Sequence, residues 1–426
     1  MDVFVLLVFA AVVALVSMDL VEKHVLGAAV LALLLFTGAL SPVELYEAVE
    51  WDVLGVVAGM SLLTGFLRDS GFGEAVSKRI VSRVRSPRLL FFTLILLSGF
   101  ISLFLDNVST VSLMGLVVFY VAKEAGLNPV DLFIGVALAA GMSGSATMVG
   151  DPPAMIVAGY FNLSFLDFFF YRGRPSMFFI TVAAMLASTL VYTLFHSGRS
   201  RVQGSPSAGG EGFDKVYLAE ASASLTVTVA LLSVRNVLGL PLTLCVSAGL
   251  ALILAARLLV HRDYKGVLEV ARGSLEWRLP VFIASVFALS AGLLKYGWID
   301  RFVAAVLSAT GGGFTAVSSV LIGVSVLASA FIDNTPYIVA SLPLTSKLAT
   351  AIGADPVALA WALLLGTTLG GCITPIGASS NMVAVGILEM AGHRVSFTGF
   401  VKKALAFNMV NVLTGWLIYL LAYSPP

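Results

Sequence analysis

Charged residues, cysteine and histidine are all scarce in this chain of 426 residues. Asp, Glu, Lys and Arg make up 12% of it, about half the share of a soluble domain, whereas 59% is hydrophobic. Two cysteines and four histidines provide neither a disulfide framework nor the ligand set of a transition-metal site. Since the apolar segments also hold no pair of nucleophile and base, we expect no enzyme activity and no organic cofactor.

A net charge of +1, with no basic arm, gives no reason to expect a nucleic-acid partner. The sequence also lacks the Gly-rich loop with Lys-Ser or Lys-Thr that binds the phosphates of ATP. Any use of ATP would therefore need a separate soluble ATPase as a partner.

Long apolar segments occur along the whole length, and they predict an all-α polytopic membrane protein in contact with membrane lipid. The predicted spans are 2–20, 25–40, 51–67, 129–160 and 175–196 in the first half, and 216–234, 237–260, 279–295, 357–390 and 403–422 in the second. Two further apolar stretches, 89–121 and 313–350, are each interrupted by Asp-Asn, so we predict a re-entrant hairpin in each. A basic amphipathic helix on the membrane surface is predicted at 73–88.

An offset of 227 residues superimposes the two halves of the chain. It places the Asp-Asn pair at 106–107 on the pair at 333–334, and Gly150 on Gly377. The glycines lie within the spans 129–160 and 357–390, so we predict one broken helix in each half. Carboxylates and helix-breaking glycines are costly in lipid, and their recurrence at matched positions is typical of transporters built from two repeats.

The first repeat is predicted at 1–196 and the second at 216–426, joined by a flexible cytoplasmic linker at 197–215 that is rich in Gly and Ser. Five crossings in each repeat is an odd number, so the second repeat must enter the membrane upside down. With the N-terminus outside, 19 of the 25 Lys and Arg residues lie in the cytoplasm and six lie outside. We therefore predict two inverted repeats in the cell (plasma) membrane, with both termini outside.

Hairpin tips and broken helices bring oxygen ligands together near the middle of the membrane. Backbone that leaves helical geometry there is tolerated only around a cavity or a ligand. The candidate substrate- and ion-binding residues are Asp106, Asn107, Ser109, Thr110, Ser143, Thr147, Gly150, Asp151, Asp333, Asn334, Thr335, Thr374, Gly377, Ser379 and Asn381. Oxygen ligands without His or Cys favour an alkali cation or a proton, so we predict a candidate Na⁺ site at Asp106, Asn107, Asp333 and Asn334.

The same residues have alternative roles in holding the fold together. The Asp-Asn pairs could cap the hairpin tips by accepting hydrogen bonds from backbone N–H groups. The glycines could serve close packing between helices. Asp151 has no acidic counterpart, because Ala378 takes its place at the offset, so it is either an ion ligand or a helix-start residue.

Four short motifs carry a resemblance to a known group of proteins. They are Leu-Asp-Asn-Val-Ser-Thr at 105–110, Ala-Thr-Met-Val-Gly-Asp-Pro-Pro at 146–153, Ile-Asp-Asn-Thr-Pro at 332–336 and Thr-Pro-Ile-Gly-Ala-Ser-Ser-Asn at 374–381. In these motifs the chain resembles the ion transporter superfamily, and within it the group of arsenite permeases, NhaD-type antiporters and P proteins, which share a citrate-transporter-like domain.

The resemblance implies a homodimer that works by an elevator mechanism. A scaffold part would comprise 1–88 and 216–312, and a mobile transport part would comprise 89–196 and 313–426. The arsenite permeases also include a pump form, so the resemblance admits a soluble ATPase as a partner.

These observations favour secondary active transport of a small inorganic solute, an arsenite-like oxyacid or anion, coupled to H⁺ or Na⁺. The nearest alternative is a Na⁺/H⁺ antiporter of the NhaD type, in which the same aspartates exchange the two cations directly. A citrate or dicarboxylate transporter is less favoured, because two tip carboxylates would repel a multiply charged anion.

Overall fold

The computed structural model describes residues 1–17, 21–72, 75, 86–125, 127–197, 214–275 and 277–424, and it is almost entirely helical. The helices of the first half are α1 (Asp2–Ser17), α2 (Lys23–Phe36), α3 (Pro42–Ala48), α4 (Trp51–Asp69), α5 (Pro87–Ser102), α6 (Asn107–Ala125), α7 (Pro129–Ser143), α8 (Pro152–Tyr160) and α9 (Met177–His196). Those of the second half are α10 (Lys215–Leu238), α11 (Leu242–Ala255), α12 (Tyr264–Ser274), α13 (Arg278–Lys295), α14 (Trp298–Thr310), α15 (Phe314–Ser329), α16 (Asn334–Ala351), α17 (Pro356–Gly371), α18 (Ser379–Met390) and α19 (Phe397–Tyr423). A 3-10 turn (Phe165–Phe168), a π turn (Ala256–Val260) and two short antiparallel strands, β1 (Phe170–Tyr171) and β2 (Arg174–Pro175), complete the described part.

Six helical segments in the described part of the chain are long and apolar enough to cross a membrane. They are α4, α9, α10, α19, Leu242–Val260 (α11 with its π turn) and Tyr264–Lys295 (α12 with α13). The arms α5 and α6 and the first halves of the broken helices, α7 and α17, are shorter apolar helices. The all-helical, multi-pass architecture predicted from the apolar segments is therefore confirmed.

Both predicted hairpins and both predicted breaks have matching helix ends. The helix α5 ends at Ser102 and α6 begins at Asn107, while α15 ends at Ser329 and α16 begins at Asn334. The helix α7 ends at Ser143 and the chain stays non-helical until Pro152. Proline has no N–H to donate to a preceding turn, so a helix cannot continue through it without losing a hydrogen bond. At the first position of a helix that N–H is not needed, so α8 begins at Pro152.

Three side-chain hydrogen bonds recur at the offset of 227 residues. Each one joins a hairpin tip, a break or a terminal helix to its neighbour, and each donor and acceptor has its counterpart in the other half. The pairs are Ser102–Asn107 with Ser329–Asn334, Thr147–Leu103 with Thr374–Ala330, and Tyr192–Asp131 with Tyr419–Ala358. The two halves thus use the same contacts as well as the same motifs.

The broken helices form the centre of the molecule. Residues 131–143 of α7 and 357–371 of α17 are all buried, as expected for helices that are apolar on every side. The arms α5 and α6 pack on α7, α15 and α16 pack on α17, and the terminal helices α9 and α19 pack on each other. In the predicted scaffold part, α2 packs on α13 and α4 packs on α11, so helices of the two halves interleave.

Two helices of the second half do not correspond to any predicted span. The helix α12 lies between the predicted spans 237–260 and 279–295, and α14 lies between the span 279–295 and the hairpin predicted at 313–350. The helix α14 meets α15 at an angle of 118°, so it runs across the direction of the hairpin. Most of the amphipathic helix predicted at 73–88 and of the linker predicted at 197–215 lies outside the described residues.

Candidate functional site

A cavity of about 1110 Å³ lies where the two hairpin tips and the two breaks meet the helices α2, α4, α12 and α13. The tips and breaks supply its three aspartates and its amide groups, and the other helices with their caps supply its basic groups and Glu22. Its charged lining residues are Glu22, Lys23, Arg68, Asp106, Asp151, Arg272, Arg278 and Asp333. Both halves of the chain therefore contribute to one site.

The tip of the first hairpin is closed by two local hydrogen bonds. Ser102 Oγ donates to Asn107 Oδ1 at 2.7 Å, and the backbone N–H of Ser109 donates to Asp106 Oδ1 at 2.8 Å. The Asp106 carboxylate makes no ion pair with any residue that the structure describes. Asp106 caps α6 with one oxygen, so its second oxygen remains available to a ligand in the cavity.

The tip of the second hairpin has an equivalent Ser–Asn bond, a cap bond from a different N–H, and two long-range contacts. Ser329 Oγ donates to Asn334 Oδ1 at 2.6 Å, and the backbone N–H of Thr335 donates to Asp333 Oδ1 at 3.2 Å. The other carboxylate oxygen of Asp333 accepts hydrogen bonds from Lys23 Nζ at 2.6 Å and from Ser379 Oγ at 3.3 Å. Asp333 is therefore a helix cap and half of an ion pair at once.

Arg68, at the end of α4, reaches the first tip without pairing with its carboxylate. Its Nη1 donates to Ser109 Oγ at 3.2 Å, and its Nη2 donates to Ser274 Oγ at 2.9 Å. Its Nε donates to Asp69 at 3.0 Å. The guanidinium thus joins α4, α12 and the first hairpin, and it presents a positive charge to the cavity wall.

Asp151 lies at the start of α8, but its side chain makes no cap hydrogen bond there. Its carboxylate lies near the Asn107 side chain and interacts electrostatically with Asp106 and Asp333. Asp151 also packs against Gly144, where an added Cβ would lie 2.6 Å from the Asp151 Cβ. Asp151 is therefore a helix-start residue by position and also lines the cavity, and its role as an ion ligand stays a prediction.

The breaks are held against the tips by threonines and by glycines that permit close approach. Thr147 Oγ1 donates to the carbonyl of Leu103 at 2.6 Å, and Thr374 Oγ1 donates to that of Ala330. A Cβ added at Gly371 would lie 2.6 Å from Asn334 Oδ1, a distance that real Cβ atoms do not adopt. Only glycine lets the second break come this close to the tip amide.

The fifteen candidate residues fall into two groups by position. Nine line the cavity: Asp106, Asn107, Ser109, Gly150, Asp151, Asp333, Asn334, Thr335 and Ser379. Six lie behind its wall: Thr110, Ser143, Thr147, Thr374, Gly377 and Asn381. Asn381, for example, is buried and donates to the carbonyls of Gly371 and Thr374, so it supports the break from behind.

Four basic residues of the cavity wall are absent from the candidate set: Lys23, Arg68, Arg272 and Arg278. In the sequence, Lys23, Arg68 and Arg278 lie within two residues of the ends of predicted spans, where basic residues are common. In the described residues, no three His, Cys, Asp or Glu side chains form a group that could hold a metal ion. Single carboxylates with amide and hydroxyl neighbours are therefore the candidate cation ligands.

Comparisons with known proteins bear on the whole chain. An uncharacterized transporter of Mycobacterium tuberculosis is 28% identical over 432 residues, which is 98% of this chain and 99% of that protein. The P protein of Mus musculus is 24% identical over 501 residues, which is 98% of this chain and 60% of the P protein. The solved structure of the YdaH transporter of Alcanivorax borkumensis has a similar fold, with a TM-score of 0.57, 18% identity, and coverage of 86% of this chain and 84% of YdaH.

The P protein relative and the transporter fold confirm the resemblance to the ion transporter superfamily. They do not distinguish arsenite permeases from NhaD-type antiporters. The family description of the citrate transporters, CitMHS, matches residues 4–366. This protein therefore belongs to the CitMHS citrate transporter family, and it is a membrane transporter rather than an enzyme.

Proposed function

We propose that the protein is a secondary active transporter of a small inorganic solute, an arsenite-like oxyacid or anion, coupled to H⁺ or Na⁺. The observation that carries this proposal is the single cavity in which acidic tips face a basic wall. Such a cavity offers a place for a weakly charged solute beside a coupling cation, as expected near the meeting point of two transporter repeats.

The charge balance of the cavity supports a weakly charged solute. Four basic residues, Lys23, Arg68, Arg272 and Arg278, stand against four acidic ones, Glu22, Asp106, Asp151 and Asp333. A neutral acid or a monoanion with one cation leaves this balance nearly unchanged. A trianion such as citrate would need several bound cations, because the energy of unbalanced charges is larger in low-dielectric surroundings. The basic wall nevertheless weakens the argument from tip carboxylates alone, so citrate belongs among the solutes to be tested.

The coupling cation is assigned to the first tip in this conformation. Asp106, Asn107 and Asp151 lie together there, and Asp106 keeps one carboxylate oxygen without an ion pair among the described residues. A direct Na⁺/H⁺ exchange is the second candidate function. It is favoured by the presence of three aspartate carboxylates in one cavity, since each can bind either cation.

An elevator movement of the transport part against the scaffold part, within a homodimer, accounts for access from both sides. The basic wall lies at the ends of helices that the N-outside orientation places towards the cytoplasm. We assign the conformation as inward-facing on that basis, with the repeats inverted and both termini outside. Gradient-driven transport needs no soluble ATPase, so the assay below omits ATP.

Uptake into proteoliposomes distinguishes these functions. The purified chain is tested with arsenite, with citrate and with no solute, each under an inward Na⁺ gradient and an inward H⁺ gradient. Gradient-driven arsenite uptake supports the proposal. Gradient-driven citrate uptake keeps the coupled transport and makes citrate the solute instead. Dissipation of a pH gradient by Na⁺ alone, without flux of either solute, overturns the proposal in favour of the antiporter. Protein-free liposomes provide the control.

A further inference from the structure

The ion pair between Lys23 and Asp333 connects two parts of the molecule that are predicted to move apart. Lys23 begins α2 in the predicted scaffold part, and Asp333 lies at the tip of the second hairpin, 310 residues away. Their side chains are 33% and 19% exposed, so the pair is half-buried at the cavity wall. Solvent and salt screen such a pair only partly.

The Lys23 ammonium occupies the place at Asp333 that a soluble cation would use. One Asp333 oxygen caps α16 through the N–H of Thr335, and the other accepts from Lys23 and from Ser379. Like charges repel at short range, so Na⁺ or a proton and the ammonium cannot share that oxygen. The second tip is therefore already occupied by a positive charge that belongs to the chain.

The carboxylate of the first tip has no such ion pair with the residues that the structure describes. The residue 227 positions after Lys23 is the uncharged Leu250, and Lys295, near the matching end of α13, pairs with Glu44 instead of a tip. The Ser–Asn hydrogen bond is the same in both tips, whereas Asp106 accepts from the N–H of Ser109 and Asp333 from that of Thr335. Of the two tip carboxylates, only that of Asp333 also has a long-range ion pair with a described residue. Because of this ion pair, the Asp333 carboxylate is occupied by an ammonium group while the Asp106 carboxylate stays open to a soluble cation in the same conformation.

From this asymmetry we propose that Lys23 is a tethered cation that competes with the coupling cation for Asp333. In the observed conformation the ammonium fills the second position, and only the first tip is open. When the transport part leaves the scaffold part, Asp333 loses Lys23 and takes up a soluble cation in exchange. This inference rests on the proposed coupling to H⁺ or Na⁺, and it assigns to Lys23 the role of linking cation binding to movement.

Equilibrium cation binding tests the competition without any transport. The melting temperature of the purified full chain in detergent is measured against NaCl, with choline chloride holding the ionic strength constant. A cation that binds the folded chain raises the melting temperature, and the rise grows with the logarithm of one plus the ratio of the cation concentration to its Kd, so tighter binding produces it at a lower concentration. For Lys23→Met, we expect the NaCl concentration that produces the rise to fall about 5-fold or more, which is the range of ordinary coupling between sites. A second series, from about pH 5 to about pH 9 in choline chloride, tests the proton in the same way.

Three comparison variants make the result specific. Lys23→Arg keeps the competing charge, so its cation dependence should match the wild type. Lys23→Met in the Asp333→Asn background should show no shift, because the contested carboxylate is gone. Lys295→Met removes a lysine from a scaffold ion pair and should leave the cation dependence unchanged. The Lys295 hydrogen bond holds the pKa of Glu44 at about 2, so that control pair stays charged throughout the pH series.

A lower cation concentration for the rise in melting temperature of Lys23→Met, seen only when Asp333 is present, supports the proposal. If it occurs in the NaCl series the cation is Na⁺, and if it occurs in the pH series the cation is H⁺. The absence of a shift in both series, or the same shift in the Asp333→Asn background, overturns it. If Lys23→Met does not fold, Lys23→Gln is measured in its place. Normal competition in a chain that performs no gradient-driven uptake would overturn the proposed function and leave the competition standing, so the two failures are distinguishable.

Discussion

At the scale of single residues, the hairpin tips combine a structural role and a binding role that the sequence presented as alternatives. Asp106 and Asp333 each cap a helix with one oxygen, and each presents the rest of its carboxylate to the cavity. Asn107 and Asn334 accept a hydrogen bond from a serine and so close the tips. A residue can therefore hold the tip in place and still act in binding, because carboxylates have two oxygens.

Removing the charge of either tip carboxylate should stop coupled transport. In Asp106→Asn and Asp333→Asn, the amide keeps the shape and the capping oxygen but cannot balance a cation. We expect gradient-driven uptake in proteoliposomes to fall by about 10-fold or more, which corresponds to about 1.4 kcal/mol of lost cation binding. Asp300→Asn, which alters an exposed ion pair with Lys347, should transport normally. Normal driven uptake by both tip variants would show that the tips are only structural.

A methyl group at Gly371 should disturb the second tip. The added Cβ would lie 2.6 Å from Asn334 Oδ1, which Ser329 holds in place, so the tip or the break must shift. We expect Gly371→Ala to lower the free energy of unfolding by about 1–3 kcal/mol, as overpacking does elsewhere. Gly386→Ala, where nothing lies within 4 Å, should be neutral or stabilise α18 by up to about 1 kcal/mol. Equal melting temperatures for the two variants would contradict the close approach.

Some residues of the cavity can be recognised in the sequence, and others only in the folded structure. The tip and break residues were found because polar groups in apolar segments stand out in a sequence. Lys23 and Arg68 were not found, because a basic residue at the end of a span is ordinary and only the fold shows what it touches. Thr147 and Thr374 stay candidate substrate- or ion-binding residues, and their hydroxyls also donate to carbonyls of the tips.

At the scale of elements, hydropathy located the helices well because lipid imposes one strong pattern on a spanning segment. The hairpin predicted at 313–350 has arms at Phe314–Ser329 and Asn334–Ala351, and the span predicted at 279–295 is Arg278–Lys295. The helices α12 and α14 were not predicted, because each has one polar face and so a lower mean hydropathy than a spanning segment. Helices of that kind are recognised by periodicity and not by apolar length.

The matched contacts of the two repeats should have matched energies. Tyr192 donates to the carbonyl of Asp131 and Tyr419 to that of Ala358, each at 2.8 Å, so each hydroxyl ties a terminal helix to a broken helix. Tyr192→Phe and Tyr419→Phe should each lower the free energy of unfolding by about 1 kcal/mol, the usual contribution of such a bond. Tyr264→Phe, at a side chain that is 64% exposed, provides the unchanged control. A large loss in one half and none in the other would contradict the equivalence of the repeats.

At the scale of the whole molecule, the sequence predicted the repeats, but it could not predict the contacts that cross between distant segments. The ion pair of Lys23 with Asp333 joins residues 310 positions apart, and no periodicity or motif relates them. The inverted arrangement and the division into scaffold and transport parts remain proposals that labelling can test.

Inverted hairpins should open to opposite sides of the membrane at their outer ends. Both tips line one cavity, so labelling at the tips cannot separate the two arrangements. Cysteines introduced at Arg88→Cys, where α5 begins, and at Ala351→Cys, where α16 ends, should react with an impermeant maleimide from inside and outside respectively. The native Cys245 and Cys372 are buried and provide an unreactive background. Labelling of both positions from the same face would contradict inversion, provided that both react after permeabilisation.

The central claim is that a cation gradient drives solute through the cavity formed by both tips. Its most direct test is concentrative uptake by proteoliposomes without ATP, using the solute that gives flux in the panel described above. We predict accumulation above equilibrium under a Na⁺ or H⁺ gradient, collapse when an ionophore dissipates that gradient, and loss of gradient dependence in Asp106→Asn. Saturable uptake by the wild-type chain that ignores both gradients would contradict the account.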